Sequence, residues 1–197
     1  MTLLLGLTGS IGMRKSTTAR QFEAEGCAVW DADAAVHRLY AKGGDAVAPI
    51  ADAFPVAVID GAVSRDALKS IICQDPLALR RIEQIVHPLV AKDRAAFIAA
   101  TDAKIVVLDI PLLFETGGDS RVDVTVCVSI DAETQKKRVM SRGTMSEDQF
   151  GTILAKQMPD AEKRARADYV ITTDTPESAA EQVRAVLADI RRRMTHA

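Results

Sequence analysis

The residues with the most chemistry in their spacing are Gly9-Ser10-Ile11-Gly12-Met13-Arg14-Lys15-Ser16-Thr17. They follow an apolar run, Leu3 to Thr8, and lead into a stretch that carries Ala19, Phe22 and Ala24 at helical spacing. Strand, loop and helix in that order are what a phosphate-binding loop requires. Backbone N–H groups and the helix N-terminus then point at phosphate oxygens. In such a loop Lys15 reaches the β and γ phosphates of ATP and the Ser16 hydroxyl ligates Mg2+, while Gly9, Gly12, Met13, Arg14 and Thr17 complete the wall around the nucleotide. A strand-to-helix turn with no ligand leaves Lys-Ser-Thr at a helix start without a purpose.

The pattern G-x-x-x-x-G-K-[ST] asks for glycine where this chain has Arg14. Glycine enters the left-handed backbone region freely, whereas another residue there costs roughly 1 to 2 kcal/mol. That is small against ~5 to 15 kcal/mol of domain stability, so folding should survive. Binding is more sensitive, since ~1.4 kcal/mol is tenfold in affinity, and the guanidinium could obstruct the phosphate path, point away from it or add a contact.

Two further sets bear on the acceptor. Asp31-Ala32-Asp33 follows the apolar run Cys27 to Asp31, and period-two spacing would put both carboxylates on one side, where one could take a proton from an attacking hydroxyl. Either could instead cap a helix. Between Arg138 and Arg166 lie Arg142, Lys156, Lys163 and Arg164 among few strand-forming residues, which fits a lid over an anion or an ordinary solvated helix face.

These residues need a frame. Five apolar or β-branched runs, Leu3 to Thr8, Cys27 to Asp31, Ile105 to Ile110, Asp123 to Ile130 and Tyr169 to Thr173, read as strands buried on both faces. Helical spacing between them, as in Leu79, Ile82, Val86, Leu89 and Val90, predicts the α/β class: a parallel five-stranded sheet sandwiched by helices. Ser146 to Gln149 forms a capping box and Thr175-Pro176 an N-cap with a first-turn proline. Residues 34–101 are too many for one crossover and predict a helical subdomain. The expectation is one P-loop domain with a core of about 1–33, 102–137 and 167–197, the helical subdomain at about 34–101 and a lid at about 138–166.

At 197 residues, 48% hydrophobic and 26% charged, the composition is that of a globular protein. A formal charge of -2 supplies no field for nucleic acid or an anionic membrane. Cys27, Cys73 and Cys127 form no C-x-x-C pair and read as buried, reduced thiols, in keeping with a cytoplasmic location. The apolar start has no basic leader and is broken at Thr8, so it reads as a strand.

Several motifs together resemble the dephospho-CoA kinase family: Gly6-Leu7-Thr8-Gly9-Ser10-Ile11-Gly12, Asp31-Ala32-Asp33 with His37, Ile85-Val86-His87-Pro88, and Asp109-Ile110-Pro111-Leu112-Leu113-Phe114-Glu115. The resemblance continues through Gln135, Arg138, Arg142, Gln157 and Ala167 to Ile171. It implies ATP-dependent phosphorylation of the ribose 3'-hydroxyl of dephospho-CoA, the last step of coenzyme A synthesis. On it Asp33 is the general base, Lys15 and Arg142 stabilise the transferring phosphoryl group, and Arg138 meets the nucleotide. Asp33, Arg65, His87, Leu112 and Leu113 contact the substrate, and Ser16 and Asp109 hold Mg2+. The bland roles are a helix-boundary histidine at His87 before Pro88, a solvent-facing Arg65, and core positions for Leu112 and Phe114. The family has phenylalanine where this chain has Cys73, which would loosen packing in the helical subdomain. The implied partner is a small molecule; the charge gives no reason to expect nucleic acid or membrane, and the sequence leaves the oligomeric state open, a monomer being the expectation.

Two alternatives share the loop: another small-molecule P-loop kinase, and a nucleotide-binding protein disabled by Arg14. No [NT]-K-x-D motif follows the later strands, which argues against a GTPase.

Overall fold

The computed structural model describes residues 2–195. Five strands form one sheet in the order β2-β5-β1-β6-β7: β1 Leu3–Thr8, β2 Ala28–Asp31, β5 Ile105–Asp109, β6 Val124–Ser129 and β7 Tyr169–Thr172. Each follows one of the five apolar runs, trimmed at most by a residue per end. β1 pairs in parallel with β5 (Leu5 opposite Val107) and with β6 (Leu7 opposite Val126), and β6 with β7 (Val128 opposite Ile171). β1 is the central strand, so the loop after Thr8 leaves the middle of the sheet at its carboxyl edge, where open parallel sheets bind ligands.

Helices α1 (Lys15–Ala24), α6 (Ala132–Met140), α7 (Glu147–Ala155), α8 (Asp160–Arg166) and α9 (Pro176–Thr195) belong with this sheet. α9 buries Val183, Val186, Leu187 and Ile190 in one core with Leu5, Leu7, Phe22 and Val107. That face repeats at helical spacing, and burying it removes several large apolar side chains from water at ~25 cal/mol per Å2. Thr175 caps α9 through Ser178 N–H at 3.1 Å, and both halves of the Ser146–Gln149 box start α7.

The chain divides into two compact units, one holding the segments up to Trp30 and from Asp102 onward, the other Asp31–Thr101. The second contains α2 (Ala32–Tyr40), α3 (Val47–Ala53), α4 (Arg65–Gln74), α5 (Pro76–Ala100) and a hairpin of β3 (Val58–Ile59) and β4 (Ala62–Val63). Leu39, Ile50, Phe54, Leu68, Ile82 and Val86 form its own core. Sequence reading passed over the hairpin, although Asp60-Gly61 signalled it. Both residues have positive φ, 51° and 80°, as a two-residue hairpin turn requires.

Three expectations are corrected. α5 runs through Pro88 without a boundary at His87. His87, Pro88 and Gln84 are all exposed, so water can reach the Gln84 carbonyl that lost its donor. Cys73 is exposed, unlike buried Cys27 and Cys127, so it leaves no gap in the core. Asp33 lies in the first turn of α2 rather than on an extension of the strand, so period-two geometry does not relate it to Asp31. Among the described residues no helix is long and apolar enough to cross a membrane.

Candidate active site

The loop between β1 and α1 is shaped by close contacts. A Cβ on Gly9 would stand 2.3 Å from Val128 Cγ2 and 2.9 Å from the Val128 carbonyl oxygen. At Gly12, whose φ is 81°, it would meet Val139 Cγ2 at 2.6 Å. Neither position admits a side chain without displacing β6 or α6. Arg14 is the N-cap of α1 with φ 59° and ψ 32°, in the left-handed region, and its side chain caps nothing. The position therefore carries the backbone conformation that suits glycine, and arginine occupies it under strain. The Arg14 carbonyl accepts the N–H groups of Thr17 and Thr18, both at 3.1 Å, so the helix starts normally behind it.

Among the described residues the backbone N–H groups of Gly12, Arg14, Lys15 and Ser16 have no protein acceptor. Four such donors around a helix N-terminus fit a polyphosphate. Met13 is buried in the core, so only its backbone can serve a ligand. Ser16 and Thr17 are exposed.

Lys15 Nζ is ion-paired with Asp109, which ends β5 and is 2% exposed. A lysine held at the sheet's carboxyl edge stands ready to exchange a carboxylate for a phosphate. Arg138 is fixed rather than free: Nη1 donates to Thr173 Oγ1 at 3.0 Å and Nη2 to the Thr173 and Asp174 carbonyls at 2.5 and 3.2 Å. Thr173 Oγ1 in turn donates to the Met13 carbonyl at 3.1 Å. Burial lowers the Arg138 pKa, and the positive charges of Arg14 and, more weakly, Arg142 push the same way against Asp174 and Asp131. Three guanidinium groups thus share one electrostatic neighbourhood beside the phosphate loop. Arg142 is exposed just past α6, and its N–H donates to the Val139 carbonyl at 3.3 Å.

After β5 the chain turns through Pro111 to Thr116. Leu113 is completely buried and packs where a Gly6 Cβ would be, 2.7 Å away, while Leu112 is 40% exposed and Phe114 is buried. Phe114 is core as expected, whereas Leu112 and Leu113 exchange roles. Leu113 is core and Leu112 offers surface, because the missing side chain at Gly6 opens room on β1 for Leu113.

Reading Lys163 as part of a solvated cationic face is also corrected. Lys163 is fully buried on α8 and pairs with Glu115 Oε1 at 2.9 Å. Met158 N–H donates to the same oxygen at 2.9 Å. Burial pushes the Glu115 carboxyl up, but Lys163 and the Met158 N–H together outweigh it and hold the group below the usual carboxylate range.

In the other unit Asp31, not Asp33, caps α2, accepting the Ala34 N–H at 2.9 Å. Asp33 is exposed and spared that structural task. Arg65 stands over the Tyr40 ring at 5.8 Å from an exposed position, and His87 is exposed on α5.

The model of the dephospho-CoA kinase family matches residues 3–178. The chain belongs to the dephospho-CoA kinase family. It is 63% identical over 197 residues to the dephospho-CoA kinase of Ruegeria pomeroyi, with 100% of each chain covered. To that of Cereibacter sphaeroides it is 56% identical over 187 residues, 95% of each. A Thermus thermophilus protein of known crystal structure superposes with a TM-score of 0.85 at 34% identity, covering 95% of this chain and 97% of that one. The fold is also that of the Campylobacter jejuni dephospho-CoA kinase, at TM-score 0.70, 21% identity and coverage of 96% and 98%. Membership makes the chain a nucleotide-binding kinase, a transferase of phosphoryl groups.

Within the sheet-bearing unit the structure gathers the phosphate loop, Asp109, Arg138 and the Leu112 loop around the carboxyl edge. Asp33, Arg65 and His87 lie in the helical unit. Glu115, Gln135 and Gln157 were legible only as motif positions without a role, and Lys163 only as a charge.

Proposed function

We propose that this chain transfers the γ-phosphoryl group of Mg-ATP to the ribose 3'-hydroxyl of dephospho-CoA, giving coenzyme A and ADP. What carries the reading is the group of unpartnered N–H donors beside Lys15 in a chain of this family. Lys15 and the loop N–H groups hold the β and γ phosphates, and their fixed dipoles meet the charge that spreads over the transferring group. Ser16 Oγ and Asp109 would hold magnesium, which neutralises phosphate charge when bound. Lys15 leaves Asp109 as the nucleotide enters, so carboxylate and phosphate are alternative partners for one ammonium.

Asp33 takes the proton of the attacking 3'-hydroxyl, and a carboxylate without a capping partner suits that task. Arg142 reaches the transferring phosphoryl group, worth about 4 kcal/mol at ~4 Å and an effective dielectric near 20, before desolvation. Arg138 borders the nucleotide. Arg65 and His87 contact the acceptor from a helical CoA-binding region at about 34–101, Leu112 contacts it from the loop after β5, and residues at about 138–166 act as the lid. The enzyme works as a cytoplasmic monomer.

A second reading rests on one observation, the left-handed Arg14 with its guanidinium beside the loop: a nucleotide-binding protein without turnover. ADP release with Mg-ATP and dephospho-CoA separates the two when the chain is compared with Arg14→Gly and Asp33→Ala. Turnover that Asp33→Ala abolishes supports the kinase with Arg14 tolerated. Turnover only in Arg14→Gly shows a kinase silenced at its loop. Silence in both folded proteins sinks the dephospho-CoA assignment.

A further inference from the structure

Ile11, in the middle of the phosphate loop, is held by glutamines at both of its backbone polar groups. Its carbonyl accepts Gln135 Nε2 at 2.7 Å and its N–H donates to Gln157 Oε1 at 3.3 Å. Gln135 is 5% exposed on α6, and Gln157 comes after Lys156, the C-cap of α7. The two glutamines thus bracket the segment that carries Arg142, with one foot on each of the two peptide units that flank the Ile11 Cα.

Each foot has a second attachment. Beside Gln157, the Met158 N–H donates to Glu115, whose carboxylate is neutralised by the fully buried Lys163. Lys163 also donates to the Pro111 carbonyl at 3.4 Å, the same oxygen that accepts Thr8 Oγ1 at 3.0 Å immediately before the phosphate loop. Beyond Gln135 on α6, Arg138 is tied to Thr173, which is tied to Met13. Between these feet, Ser141 to Thr144 and most of the first turn of α7 are exposed. Turning either of the two peptide units flanking Ile11 would break or reorient the glutamine bond it carries, which couples the loop conformation to the placement of the arginine segment.

We infer that Gln135 and Gln157 are positioning residues for phosphoryl transfer: by holding the carbonyl and the N–H of Ile11, they set Arg142 relative to the phosphate loop. The inference rests on Arg142 acting in the transfer, as argued above. Gln135 meets the carbonyl with an amide N–H and Gln157 meets the N–H with an amide oxygen, so both bonds are made without adding a charge beside the phosphate loop.

The test is a double-mutant cycle in kcat at saturating Mg-ATP and dephospho-CoA, using Gln157→Met, Arg142→Ala and their combination, and repeated with Gln135→Met. Thermal midpoints check folding throughout. Losing the bond should lower kcat about tenfold in each single glutamine variant. In the Arg142→Ala background the same substitutions should change kcat less than twofold, because what they position is gone. Multiplicative losses, with Arg142→Ala itself impaired, overturn the inference and leave the reading of Arg142 standing. Unchanged kcat in Arg142→Ala overturns both. Native kcat in both glutamine variants overturns the inference, as does failure of both to fold, which would assign the bonds a purely structural role. No turnover in either this chain or Arg14→Gly removes the reaction and the inference with it.

Discussion

Replacing Arg14 isolates one backbone angle from one charge. At φ 59° the residue sits where an L-side chain costs roughly 1 to 2 kcal/mol and glycine nothing. Glycine also gives the unfolded chain more freedom, which returns about 0.5 to 1 kcal/mol of that gain. Arg14→Gly should therefore stabilise the protein by a net ~0.5 to 1 kcal/mol, about 1 to 4 °C in Tm for a chain of this size. Arg14→Ala keeps the Cβ and the strain while removing the guanidinium that bears on Arg138. It should fall within about 0.5 kcal/mol of the parent, because a like-charge contact between two groups that both still reach water is worth little. Chemical denaturation of the three proteins, with equal m-values as the check on two-state behaviour, measures both differences. Equal stabilisation by alanine and glycine would refute the backbone reasoning and make charge crowding the cause. No gain in either would show that the loop relaxes around arginine without strain.

Lys15→Met should abolish turnover, by at least ~100-fold, and destabilise the fold by up to about 3 to 5 kcal/mol because buried Asp109 loses its cation. Adding Asp109→Asn should recover the stability and not the turnover, read by melting and ADP release. Burial pushes the Cys27 thiol up to about 11 and, with Asp160 adding to it, the Cys127 thiol up to about 12. Both stay protonated in the folded state while unfolded thiols ionise near 9, so their contribution is full below pH 9. It is lost as pH rises towards 11 to 12, by at most ~1.4 kcal/mol per thiol per pH unit. Urea midpoints between pH 8 and 10.5 should fall accordingly, less steeply in Cys27→Ser. With an aromatic disulfide reagent at pH 8, the native protein should offer Cys73 alone and the unfolded protein all three. Pro88→Ala, exposed in the interior of α5, should raise Tm by several degrees, since proline there costs ~3 kcal/mol relative to alanine. An unchanged Tm would mean that the helix bends to suit the ring.

The strands and helix starts were legible because each rests on a local signal. The β runs are apolar on both faces, and Ser146 to Gln149 or Thr175-Pro176 satisfies backbone donors within a few residues. The Asp60-Gly61 hairpin had an equally local signal, but flanking strands of two residues each left no alternation to read. Other features depended on contacts across the chain. Leu112 and Leu113 exchange places because of Gly6, more than a hundred residues earlier, and Lys163 is buried because Glu115 stands opposite it. Pro88 breaks a local rule that the rest of α5 overrides, since a helix packed by Ala78, Ile82 and Val86 tolerates one lost bond on its wet face.

The same distinction explains how a damaged phosphate loop can sit in an intact fold. The loop takes its shape from more than position 14. Gly9 and Gly12 are fitted against Val128 and Val139, Thr173 holds the Met13 carbonyl, and the two glutamines hold Ile11. Against that set, one residue's left-handed strain of 1 to 2 kcal/mol is too small to move the backbone, so arginine adopts the angle that suits glycine. The N–H donors then remain in place, and what position 14 adds is a guanidinium whose charge bears on Arg138. If so, Arg14→Gly and Arg14→Ala should shift ATP affinity in the same direction and by similar factors, even though only glycine changes stability. Isothermal titration with a non-hydrolysable ATP analogue reads this directly. Affinity that follows stability across the two variants would show that the backbone, not the charge, sets nucleotide binding.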